Sequence, residues 1–196
     1  MSESVSARKR SIPRPVISFL VKAIVLFVAW KILYLSFLLP KRILDEPLTR
    51  GIGFSTVAVL NGLPGKTLYH GHTIPDTLDL DGGVFRGNVV GIYRNEEKTL
   101  TVADACNGLE LMVLYVGFII CFPAPLKRKL IFGVVGCGLI CLLNILRCAA
   151  LVGIFVHYRS YLDFSHHFAF QIVIYLFIFL LWYIFSKKLK PHERIG

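Results

Sequence analysis

Four apolar runs separated by polar stretches set the pattern of this chain. They cover about residues 16–39, 104–122, 130–156 and 168–186, each near the roughly 20 residues that carry a helix across the hydrocarbon core of a bilayer. Between the first and second lies a polar segment, about residues 41–103, with no run able to cross. Its first part, Gly51 to Leu63, is mildly apolar and reads as an interfacial helix that stops at Asn61-Gly62. Its second part reads as short strands, Lys66 to His70, Gly87 to Arg94 and Lys98 to Val102, broken by Asp81-Gly82-Gly83 and Asn95-Glu96-Glu97. The pattern therefore predicts an all-α integral membrane protein, a single membrane domain over residues 1–196, with about four transmembrane helices and a small β-containing segment between the first two.

Composition agrees, since 55% of the 196 residues are hydrophobic and the mean hydropathy is +0.65. A net charge of +10 invites a nucleic-acid reading, but the basic residues gather beside helix ends. Arg8, Lys9, Arg10 and Arg14 precede the first run, Lys127, Arg128 and Lys129 lie between the second and third, and Lys187, Lys188, Lys190 and Arg194 follow the fourth. Four spans put these three groups on one side, and the long polar segment, with no basic excess, on the other. Both termini are then expected in the cytoplasm and the 41–103 segment outside it. The first run exceeds the usual length of a signal-peptide core and no small-residue cleavage site comes after it, so it is read as a retained helix. Lys22 and Lys31 within it are expected to snorkel toward opposite interfaces. Five cysteines, most of them inside apolar runs, do not form a disulfide framework. His70 and His72 share a strand face, but without a third ligand nearby they are read as solvated strand histidines, and no metal or cofactor is expected.

Chemistry concentrates after residue 104. Asp104 is placed to cap the second helix, which sets Cys106 in the first turn, where the positive end of a helix favours the nucleophilic thiolate. Gly108 leaves room for close approach, and Glu110 lies four residues on from Cys106. In the third run Asn144 and Arg147 share one face. An arginine in lipid costs about 2.5–3.5 kcal/mol, so Arg147 should face protein; pairing with Glu110 would satisfy it structurally. His166 and His167 open the fourth helix, and their pairing is more than an aromatic belt requires. Cysteine, arginine and histidine from three helices thus meet at the outer half of the membrane, the equipment of acyl transfer by a thiolate.

The residues Ala105-Cys106-Asn107-Gly108-Leu109-Glu110, then Asn144-Ile145-Leu146-Arg147, then His166-His167 resemble the exosortase and archaeosortase family of membrane cysteine transpeptidases. The chain is similar to the family's compact members of Bacteroidetes-type bacteria, with Asn107 where serine is common. The resemblance implies that Cys106 is the nucleophile, that Arg147 is the arginine of the family's N-x-x-R motif, and that His166 or His167 is the third catalytic member, with Asn107, Gly108, Glu110 and Asn144 supporting. It implies partners among exported proteins that end in a tripartite sorting signal, in contact with membrane lipid and without nucleic acid. The expected location is a bacterial inner membrane, the site facing the periplasm. Two other classes compete. A non-catalytic membrane module of a surface-protein export or assembly complex would use Arg147 and Glu110 as structural glue. A small transporter is less favoured, because no internal repeat or broken helix stands out.

Overall fold

A computed structural model describes residues 14–64, 68–80, 83–158 and 169–187. Helix α1, Arg14–Leu33, continues through a π-helical turn, Tyr34–Leu38, so that residues Val16–Leu38 form one apolar rod with no buried share. A helix apolar all round with exposed Ile, Val, Leu and Phe side chains belongs in lipid. One seam packs inward: Phe19 meets Phe118 edge-on, and Leu26 lies against Gly117.

The chain then reverses, with Arg42 in the left-handed region (φ 46°), and enters α2, Asp45–Gly62. Asp45 and Glu46 occupy its first turn, where the helix dipole favours anions. Its buried positions, Asp45, Thr49, Ile52, Gly53, Thr56 and Leu60, recur at helical spacing and define the face that packs. Asn61 ties the end of α2 to the first strand, donating to the Tyr69 carbonyl at 3.0 Å and accepting from its N–H at 2.8 Å.

Strands β1 (Tyr69–Leu80), β2 (Gly83–Arg94) and β3 (Glu97–Val102) form an antiparallel meander in that order. β1 pairs with β2 from Tyr69↔Arg94 to Leu80↔Gly83, and β2 with β3 from Arg94↔Glu97 to Val90↔Val102. The β2–β3 loop is Asn95-Glu96, both at positive φ (47° and 69°), the mirror-image turn that matches strand twist. β1 is longer than the sequence reading because Pro75 and the glycine at 71 hide it; an edge strand tolerates a proline whose missing N–H faces outward.

Three further helices complete the fold: α3 (Leu109–Cys121), α4 (Leu126–His157) and α5 (Phe170–Lys187). Among the described residues, three helices, Val16–Leu38, α4 and α5, are long and apolar enough to cross a membrane. The helix expected over residues 104–122 is shorter: it starts at Leu109 and has 13 residues, about 20 Å at 1.5 Å per residue. The difference arises because Asp104 to Gly108 form a separate turn. α4 errs the other way, its 32 residues reaching about 48 Å, well beyond the ~30 Å hydrocarbon core. Its last turns rise past the membrane-length portion and pack with α2 and β3. There Cys148, Ala149 and Val152 join Ile52, Leu60, Ile92 and Val102 in one apolar cluster. At the opposite end α3, α4 and α5 share a second cluster: Tyr115, Ile119, Ile140, Ile174, Ile178, Leu181 and Phe185.

Candidate active site

The two clusters leave a polar layer between them, and Cys106 lies in it. Asp104–Cys106 is a single 3-10 turn, closed by Cys106 N–H to Ala103 O at 2.9 Å and Asn107 N–H to Asp104 O at 3.1 Å. Asp104 does not cap α3. Its carboxylate pairs instead with the guanidinium of Arg42 and accepts from Thr49 Oγ1 at 2.8 Å. The capping acceptor is Asn107, whose Oδ1 takes the Leu109 N–H at 2.8 Å. Cys106 therefore precedes the first turn of α3, and the dipole contribution argued from the sequence is reduced, since that effect fades within one turn.

Asn107, 1% exposed, also donates through Nδ2 to Asp45 Oδ1 at 3.1 Å and reaches Thr49 Oγ1 at 3.4 Å. Asp45 in turn accepts from the Tyr34 hydroxyl at 3.1 Å. The residues on both sides of the thiol are thus tied to one turn of α2, because Asp45 and Thr49 are four apart and share its face. Cys106 itself is half-buried and packs against the upper apolar cluster.

Gly108 brings α4 to this turn. Its φ of 77° is the left-handed region where a β-carbon is strained, and a β-carbon there would collide with Asn144 Nδ2. Asn144 is wholly buried, and neither polar atom of its carboxamide has a hydrogen-bond partner among the described residues. Arg147, one turn further along α4, is 8% exposed, with an Nε likewise unpartnered among those residues. Cys106 packs in the same apolar cluster as Cys148, and the approach of Gly108 to Asn144 lays the Cys106 turn against the stretch of α4 that carries Arg147.

Two expected members stand elsewhere. Glu110 is not buried and does not pair with Arg147: its side chain is 86% exposed and lies 3.8 Å from Lys31. Because Asn107-Gly108 breaks the helix before Leu109, Glu110 no longer shares a helix face with Cys106. His166 and His167 lie outside the described residues. His72 of β1 stacks edge-on with Tyr93, and no group of three or more metal-ligating side chains occurs among the described residues. None of the five cysteines is in a disulfide.

Sequence reading missed Arg42, Asp45, Thr49 and Tyr34. A signal was present: Lys41-Arg42 sits at the end of the first span opposite the basic N-terminus, where positive charge is otherwise avoided. A cation in that place has a local reason to be there.

Along α4, Asn144 and Arg147 stand 18 and 21 residues from Leu126, about 27 and 32 Å from the basic Lys127–Lys129 end. The site thus lies one hydrocarbon thickness away from that end.

No curated protein and no solved structure matches the chain. The sequence model of the transmembrane exosortases does match, over residues 16–185, which takes in nearly all of α1, the α2 helix and sheet, the Cys106 turn, α3, α4 and nearly all of α5. This chain belongs to the transmembrane exosortase family.

Proposed function

We propose that the protein is a membrane-embedded cysteine transpeptidase or protease that cleaves C-terminal sorting signals of exported proteins at the outer face of a bacterial inner membrane. The observation that carries this reading is the packing of Gly108 on Asn144, which sets the thiol-bearing turn against the arginine-bearing turn of α4. The Cys106 thiolate attacks the carbonyl of the scissile peptide bond. Negative charge develops on that oxygen, and the unpartnered donors of Asn144 and Arg147 are suited to receive it; donors arranged in advance, in a site with little water, stabilise such charge most. His166 or His167 takes the thiol proton and returns it to the leaving amine. The resulting thioester is resolved by water or by the nucleophile of an acceptor, which regenerates the thiol.

The chain crosses four times in this proposal. α3 together with the Asp104–Gly108 turn makes the short second crossing, which recesses Cys106 toward the outer leaflet and puts both termini in the cytoplasm. Substrates are exported chains held by a C-terminal hydrophobic helix, which would reach Cys106 laterally from lipid.

The test is C-terminal mapping of exported membrane-anchored proteins in a strain lacking the gene, complemented with wild type or Cys106→Ala at matched levels. Wild type should restore trimmed C-termini and the alanine variant should not. Equal restoration would discard the nucleophile and favour a non-catalytic assembly module.

A further inference from the structure

The proposed chemistry leaves one buried charged pair without a task. Arg42 is 2% exposed, sits at φ 46°, and leaves Nε and Nη1 without hydrogen-bond partners among the described residues. It also requires a glycine at 87, since a β-carbon there would overlap the guanidinium. Left-handed backbone, desolvation and unmet donors all act against folding at this one residue. Stability alone is a poor explanation, because buried ion pairs seldom outperform apolar replacements of similar volume.

We infer that Arg42 and Asp104 are a positioning pair that fixes the direction of the Cys106 side chain and thereby sets the rate of acylation. The inference rests on the reading of Cys106 as nucleophile. Arg42 and Asp104 are 62 residues apart in sequence, so their contact ties the reversal between α1 and α2 to the residue two before the thiol. The other Asp104 oxygen is held by Thr49. One residue after the thiol, Asn107 is held by Asp45 and the same Thr49. Cys106 is therefore suspended between two anchors that converge on one turn of α2.

The turn needs those anchors. A single 3-10 turn has poor hydrogen-bond geometry and is not stable by itself. Without Asp104's ties, the turn would keep its Cys106–Ala103 and Asn107–Asp104 backbone bonds but lose the side-chain anchor ahead of the thiol. A reacting atom displaced by about 1 Å loses on the order of 10²-fold in rate. Arg42 and Asp104 need touch neither substrate nor sulfur to exert that effect.

The experiment is a double-mutant cycle on the purified full chain in lipid nanodiscs, with Arg42→Gln, Asp104→Asn, the double variant, and Arg42→Lys as the conservative control. Two readouts run in parallel: kcat and KM for cleavage of a sorting-signal peptide, and the iodoacetamide alkylation rate of Cys106, followed on its own peptide by mass spectrometry. Each single variant should lower kcat by roughly 30- to 100-fold with KM within about threefold of wild type, and should change the alkylation rate. The double variant should fall no further than the worse single, because the two residues act as a unit. Arg42→Lys should recover at least about tenfold of the loss, since it keeps the charge. Losses that multiply in the double variant, or singles that fold and retain wild-type kcat, overturn the pair. If the single variants do not accumulate, Thr49→Val removes the hydroxyl that both anchors share with little change of shape; a reduced kcat at unchanged KM supports the inference and a wild-type kcat overturns it. If Cys106→Ala still cleaves, the nucleophile reading fails separately, and the alkylation cycle alone decides whether Arg42 and Asp104 orient the thiol.

Discussion

The basic end of the helical bundle and the Cys106 layer are built from different materials. At the basic end, α3, α4 and α5 meet through shape. Tyr115 occupies the space left by Gly136, Phe118 stacks on Trp182 at 4.4 Å, and Phe185 stands edge-on to Phe122 and Phe132. The polar groups there close the ends of helices: Arg128 donates to the Phe185 carbonyl at 3.1 Å and Lys129 to Ile120 at 2.8 Å. The Cys106 layer is held by carboxylates, hydroxyls and carboxamides, and it leaves buried donors on Arg42, Asn144 and Arg147 unmet among the described residues. Well-packed apolar contacts stabilise without obligation, whereas a buried unsatisfied group costs about 1–3 kcal/mol. The basic end is thus held mainly by shape, and the Cys106 layer carries most of the kind of cost found where structure serves a site.

That contrast can be broken from either side. The largest effect should come from Gly136→Leu, which drives a side chain into the Tyr115 ring; overpacking of this kind costs about 1–3 kcal/mol or more, and the amount of folded protein in membranes should drop sharply. Asn144→Leu tests the Cys106 layer. It removes two unpartnered polar atoms at similar volume, so thermal stability in detergent should hold or rise while processing falls by about tenfold or more, the loss expected for a donor to a developing oxyanion. A concurrent loss of stability would mean that the carboxamide is structural. Tyr115→Phe deletes the hydroxyl bonded to the Phe132 carbonyl at 2.9 Å and should lower stability by about 1 kcal/mol with processing unchanged. The smallest effect belongs to Glu110→Gln, because an exposed pair 3.8 Å from Lys31 contributes less than about 1 kcal/mol. A strong processing defect in that variant would return Glu110 to the site.

The same division explains how much of the molecule could be read from the chain. Apolar helices announce themselves by composition, so α1, α4 and α5 were legible to within a few residues. Local turn chemistry announced the β2–β3 hairpin at Asn95-Glu96. β1 was read only at its start, because an edge strand with Pro75 lacks the alternating pattern that marks a strand. Glu110 was misassigned for a related reason: its role depended on whether the helix began before or after Cys106, and the left-handed Gly108 moved that start to Leu109.

Residue pattern alone was enough to read a helical membrane protein with a small sheet inserted after its first span, to mark Asn144 and Arg147 as polar residues too costly in an apolar run to be incidental, and to mark Cys106 by its place beside a helix start. The cost of Asn144 and Arg147 is a property of residue type in an apolar setting, which needs no coordinates. It took the packed helices to turn Asp104 to Arg42 and Thr49 and leave capping to Asn107, to seat Gly108 against Asn144, and to face Glu110 outward to Lys31. Each of those choices is a competition between partners distant along the chain for the same donor or acceptor. Such competitions are settled by which side chains the packed helices bring within reach.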